Sequence, residues 1–133
     1  MTSEKFQRYQ EEFVDDLNLD DMSLHDKQMR MPGVKHKWVG RLIQNKYEKE
    51  QLVKKRKGLI ESVADAIQQQ EPVVVSKPTL HKMAERHKEV IALDVAISEL
   101  TLIIEFLEKM ERVMAQTSFD IKNIIDIKKL ELM

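Results

Sequence analysis

Nine cationic side chains fall within residues 35–57: Lys35, Lys37, Arg41, Lys46, Lys49, Lys54, Lys55, Arg56 and Lys57. Only Glu48 and Glu50 oppose them, so this stretch carries +7 in a chain whose total is −1. Most of the offset lies in residues 1–30, where eight acids outnumber four bases. On a helix, cations are neutralised only where acids stand three or four residues away. Two acids cannot serve nine bases, so the pattern predicts a positive surface that meets a polyanion or an acidic partner. Tyr47 and Trp38 sit among these cations, where a ring can stack on unpaired bases for ~1–3 kcal/mol per base. Trp38 falls on the apolar stripe of its helix, which predicts core packing. Tyr47 falls off the stripe and is the better stacking candidate. The candidate nucleic-acid contacts are Lys35, Lys37, Arg41, Lys46, Tyr47, Lys54, Lys55, Arg56 and Lys57. Binding through phosphates and stacking is largely independent of base sequence, and no groove-reading motif accompanies it.

Other chemistry lacks its residues. His25, His36, His81 and His87 show no H-E-x-x-H spacing, and there is no cysteine for a zinc site. The three glycines are isolated, so no phosphate-cradling loop is present. Asp16, Asn18 and Asp20 match the first three ligands of an EF-hand loop, but Asp21 replaces its glycine and Lys27 its bidentate glutamate. No Glu-x-x-His pair supports a di-metal bundle. The sequence predicts no enzyme, no metal and no cofactor.

The elements that must carry the basic stretch are helical. The 133 residues suit one domain, and Gly, Pro and aromatics are scarce. The start Met-Thr-Ser-Glu-Lys predicts no signal peptide, and no apolar run approaches the ~20 residues of a membrane span. With cysteine absent, a cytoplasmic protein is expected. Residues 3–19 predict an amphipathic helix capped by Ser3, with Phe6, Tyr9, Phe13, Val14 and Leu17 on one face and Glu11, Glu12, Asp15 and Asp16 on the other. Residues 18–33 read as a connection punctuated by Pro32 and Gly33. A second, basic helix is expected over 34–69, with a stripe of Trp38, Leu42, Leu52, Val53, Leu59, Ile60, Val63 and Ile67. Asn45, Lys49 and Arg56 interrupt it, and Gly58 predicts a bend. Residues 71–78 read as an extended linker, with a brief strand as the second reading.

From about Thr79 a heptad pattern appears, with Met83, Val90, Ile97 and Ile104 at a and Leu93, Leu100, Leu107 and Met114 at d. Ala96, Ile103 and Met110 at g widen the face beyond a two-stranded seam. The width predicts a helical bundle or a homo-oligomer built on Val90, Leu93, Ile97, Leu100, Ile104, Leu107, Ile121 and Ile125. An internal core helix packed on residues 34–69 is the alternative. Thr117 or Ser118 is a candidate cap for a new start before Ile121, Ile124 and Ile125. The expected architecture is all-α: a short N-terminal helix and a basic second helix in 1–75, and a long C-terminal oligomerisation helix in 76–133.

This order of features resembles the UvsY family of phage recombination mediators. The acidic helix precedes a basic one opened by Pro32-Gly33-Val34-Lys35-His36-Lys37-Trp38. A Lys-x-Arg element follows at Lys54-Lys55-Arg56, and the chain ends near Phe119-Asp120-Ile121-Lys122-Asn123-Ile124-Ile125. The resemblance implies a non-enzymatic protein that binds single-stranded DNA as a ring-like hexamer or heptamer. Such a protein loads a RecA-like recombinase onto DNA covered by single-strand-binding protein, here in a host bacterial cytoplasm. The family's DNA-contacting element falls on Lys54 and Arg56. Lys57-Gly58-Leu59-Ile60-Glu61 departs from the aromatic pair that usually follows, which shifts weight to charge at Lys55 and Lys57. Arg56 also falls on the apolar stripe. The competing reading is a helical scaffold or assembly adaptor that docks an acidic protein on the basic helix.

Overall fold

The computed structural model describes residues 3–18 and 23–132. They form four helices: α1 (Glu4–Leu17), α2 (Leu24–Gln70), α3 (Lys77–Ala84) and α4 (Lys88–Glu131). The protein is all-α, and no strand forms among the described residues. Asp20 and Asp21 of the calcium-loop comparison, and part of the predicted 18–33 connection, lie outside the described residues.

Each boundary has a local cause. Ser3 caps α1, its Oγ accepting the Phe6 N–H at 3.2 Å. Ser23 does the same for Asp26 at 3.2 Å, so α2 starts about ten residues before the expected Val34. Pro32 lies inside this helix rather than ending it. Proline's fixed φ is helical, and it removes one N–H while crowding the preceding turn, at a cost of ~3 kcal/mol. Met31 and Val34 on either side are buried in the core, and that packing holds the turn. Gly58 does not interrupt α2 either.

After α2, the Gln68 side chain donates to the Val73 carbonyl at 3.0 Å and accepts the Val75 N–H at 2.9 Å. These bonds satisfy the linker backbone locally, in place of a strand. Pro78 stands in the first turn of α3, where its missing N–H costs least. The long C-terminal helix is broken at Glu85–His87, between α3 and α4, rather than at Ser118. Thr117 Oγ1 donates back to the Val113 carbonyl at 2.9 Å, so it stays within the helix instead of capping a new one.

The chain folds into two compact units, one of residues 1–44 and 103–133, the other of residues 45–102. This division cuts across the expected boundary at residue 75, because α2 and α4 each contribute to both units. The core of the first unit joins Tyr9, Phe13, Met31, Val34, Trp38 and Leu42 to Ile103, Ile104, Leu107, Met114 and Ile121. Trp38 meets Tyr9 and Phe13 edge-on, at centroid distances of 5.6 and 5.4 Å. The second core gathers Ile60, Ala64, Leu80, Ala84 and Val90.

The heptad residues are therefore largely spent inside the chain. Val90, Leu100, Ile104, Leu107 and Ile121 are buried, Leu93 and Ile97 are half-buried, and Ile125 packs at the edge of the first core. In the first unit, α1 and the start of α2 supply the cover that the seam was expected to find on other copies.

Candidate nucleic-acid interface

The basic stretch of α2 is divided by what its side chains meet. In the first unit, α1 lies against α2, and the opposed charge blocks of the sequence become one ion-paired clamp. Glu12 and Asp16 are four residues apart on α1, as are Lys37 and Arg41 on α2, so one acidic pair faces one basic pair. Lys37 Nζ donates to Glu12 Oε1 at 3.0 Å and also pairs with Asp16. Arg41 Nη1 donates to Glu12 Oε2. The Arg41 guanidinium also lies 4.8 Å from the Trp38 ring centroid and 5.1 Å from that of Tyr9. Asp16 is buried, accepts the Trp38 indole N–H at 2.8 Å and has Arg30 at 3.6 Å.

The electrostatics follow from these contacts. The Arg41 hydrogen bond, against some desolvation and with help from Lys37, lowers the Glu12 pKa from 4.5 to about 2. Desolvation pulls Lys37 down, but its bonds to Asp16 and Glu12 outweigh this and raise it. Glu12 likewise raises Arg41. Lys37 and Arg41, both candidate DNA contacts, are thus committed to carboxylates of their own chain. Trp38 is 2% exposed and belongs to the core. Lys35 is half-buried at the mouth of a cavity in the same unit.

The second unit holds the rest of the stretch. Lys46, Tyr47, Lys54, Lys55 and Lys57 are exposed, Tyr47 at 62%. Lys54 reaches Glu50 at 3.3 Å, an i,i+4 pair with both side chains mostly in solvent. Such a pair stabilises by less than ~1 kcal/mol and yields readily to a stronger anion. Among the described residues, Lys55 and Lys57 take no ion pair. Arg56 does: its Nε donates to Asp94 Oδ1 on α4. Its place on the apolar stripe turned it toward that helix, which leaves Lys54, Lys55 and Lys57 as the outward cations of the densest run.

Two sets of residues escaped the sequence reading. The clamp was legible as matched i,i+4 spacings, Glu12 with Asp16 and Lys37 with Arg41. The exposed apolar residues Ile91, Leu102, Val113 and Ile124 of α4 recur every eleven residues. Eleven residues span three turns at 3.67 per turn, close to the natural helical period. The row is out of register with the heptads.

Sequence and structure comparisons agree. Residues 12–132 match the family described as "Recombination, repair and ssDNA binding protein UvsY". No curated protein sequence matches the chain. Three crystal structures of the bacteriophage T4 recombination mediator protein UvsY share the fold. One superposes with a TM-score of 0.79 at 17% identity, covering 95% of this chain and 98% of that one. The second gives 0.77 at 18% identity, covering 96% and 97%, and the third 0.76 at 18%, covering 92% and 97%. With nearly its whole length matched, the chain belongs to the UvsY family of recombination, repair and single-stranded-DNA-binding proteins.

Proposed function

We propose that this protein is a non-enzymatic recombination mediator. It holds single-stranded DNA through phosphates on Lys46, Lys54, Lys55 and Lys57, with Tyr47 stacking on a base. The observation that carries the reading is the solvent-facing run at Lys54–Lys57, three lysines on one exposed stretch of helix with Arg56 turned away to Asp94. Lysine is a flexible, strongly hydrated point charge that tracks a mobile phosphate chain without demanding fixed geometry. Binding of this kind ignores base sequence, as a mediator acting along a whole strand requires.

Self-association multiplies these contacts. The exposed Ile91, Leu102, Val113 and Ile124 supply apolar surface, and a ring of six or seven copies turns several weak phosphate sites into one strong one. Gripping the strand weakens the hold of single-strand-binding protein and presents the DNA to a RecA-like recombinase in the host bacterial cytoplasm. The T4 structures support this reading, being those of a recombination mediator.

Fluorescence anisotropy with a labelled oligonucleotide at two salt concentrations tests it. The logarithm of affinity falls with log salt by about 0.7 per phosphate neutralised. Lys54→Glu with Lys55→Glu abolishes strand binding and leaves the oligomer intact. Retained affinity at low salt refutes the assignment.

A further inference from the structure

The first unit contains a cavity that the basic run does not explain. Its volume is about 210 Å³, and it lies between the start of α2 and the end of α4. Buried Met31 and Ile121 form an apolar floor, with Pro32 beside them. Gln28 and Ser118 bring polar groups, and Lys35 and Lys122 bring two cations with no carboxylate among the described lining residues. Ile121 and Lys122 belong to the Phe119–Ile125 segment, and Ser118 directly precedes it.

Ser118 is the unusual member. A helical serine commonly returns its hydroxyl to the carbonyl four residues back, as Thr117 does. Ser118 Oγ is buried and finds no partner among the described residues. An unmet buried hydroxyl is costly, and because Ser118 lines the cavity, a rotation about its Cα–Cβ bond gives the hydroxyl a partner when a polar edge enters. The occupant must therefore be small, largely apolar on its faces, polar at its edge and attached to negative charge. The volume falls below the ~300–1,000 Å³ of sites that enclose drug-sized ligands, so the occupant is about one ring system.

We infer that this cavity takes one unstacked base of a DNA single strand, with the flanking phosphates on Lys35 and Lys122. Met31, Pro32 and Ile121 meet the faces of the base, while Ser118 and Gln28 meet its edge. A hydroxyl and a carboxamide each offer a donor and an acceptor, so the site registers that a base is present rather than which base. That tolerance fits a protein that binds without sequence preference. The inference rests on the DNA-binding reading above and adds to it a base-holding site outside the basic run.

The test compares a labelled oligothymidylate with an abasic strand of equal length and charge. The protein and three variants are measured: Ser118→Leu, which narrows the cavity without changing charge, and Lys35→Gln and Lys122→Gln, which remove a charge at its rim and spare the floor. The unaltered protein prefers the base-bearing strand by at least about fivefold, which burial of roughly 40 Å² of apolar surface supplies. Ser118→Leu cuts that preference with little effect on abasic affinity. Each lysine variant weakens binding of both strands and flattens the salt slope by about 0.7. Equal binding of the two strands by the unaltered protein overturns the inference, as does a preference that survives both Ser118→Leu and the lysine changes. A Ser118→Leu protein that changes only its sedimentation overturns it too, because the cavity then seats a second copy. If the unaltered protein binds neither strand, the DNA-binding reading falls with it.

Discussion

Removing the Glu12 carboxylate unlocks the clamp between α1 and α2, and Glu12→Gln does so without changing side-chain size. Glu12 bonds both Lys37 and Arg41, and its pKa falls from 4.5 to about 2. At about 1.36 kcal/mol per unit, an unscreened shift of this size is worth roughly 3 kcal/mol. Over a third of the Glu12 side chain is exposed, however, and solvent screening reduces the value to about 1 kcal/mol. A lowered carboxylate pKa stabilises the fold fully above the unfolded value of 4.5, and the stabilisation drains away as pH falls toward 2. Glu12→Gln should therefore cost about 1 kcal/mol at pH 7 and less than half of that at pH 3. Trp38 is the only tryptophan, sits beside the clamp and is buried, so its fluorescence reports unfolding there directly. Urea titrations followed by that signal and by helical circular dichroism, at one fixed protein concentration, give the difference. A cost that is absent at pH 7, or equal at both pH values, refutes the reasoning.

Two further substitutions probe other parts of the molecule. Leu102→Asp, on the exposed row of α4, should release monomers in sedimentation while helicity is retained, whereas Leu100→Asp buries an unpaired charge inside the chain and should unfold it. Gly58→Ala should stabilise by up to about 1 kcal/mol in urea with DNA affinity unchanged, because a Cβ there meets no atom within 4 Å.

Helical class, the Ser3 cap, the Trp38 stripe and the basic run were all legible in the chain, because each depends on neighbours within a turn or two. Most of the misreadings share one cause: tertiary packing overruled a local signal. Pro32 looked like a boundary, yet buried Met31 and Val34 carry the helix through it. Thr117 looked like a cap but bonds backward, and a hydroxyl is competent for either role. The heptads predicted an apolar seam without saying what covers it, and in the first unit Tyr9, Phe13, Val34 and Trp38 do so. For the candidate site, charge density located the run, but only long-range partners decide which cations stay in water. Glu12 and Asp16 are more than twenty residues from Lys37, and Asp94 is 38 from Arg56, beyond the reach of any pattern along one helix.

The near-zero total charge follows from the same partition. An acidic N-terminal block would weaken a polyanion-binding surface if it were free to fold over that surface. Here its Glu12 and Asp16 are committed to Lys37 and Arg41; Asp16 also holds the indole N–H of Trp38, and the Arg41 guanidinium stacks on the rings of Tyr9 and Trp38. Those two cations build the first unit, and Lys54, Lys55 and Lys57 keep their charge in solvent. Reversing Lys54 and Lys55 should therefore remove DNA binding at no cost in stability, while neutralising Glu12 should cost stability and leave the Lys54–Lys57 contribution to the salt slope intact. If both changes moved both quantities together, the basic stretch would be one functional surface, and its division between scaffold and phosphate contact would be wrong.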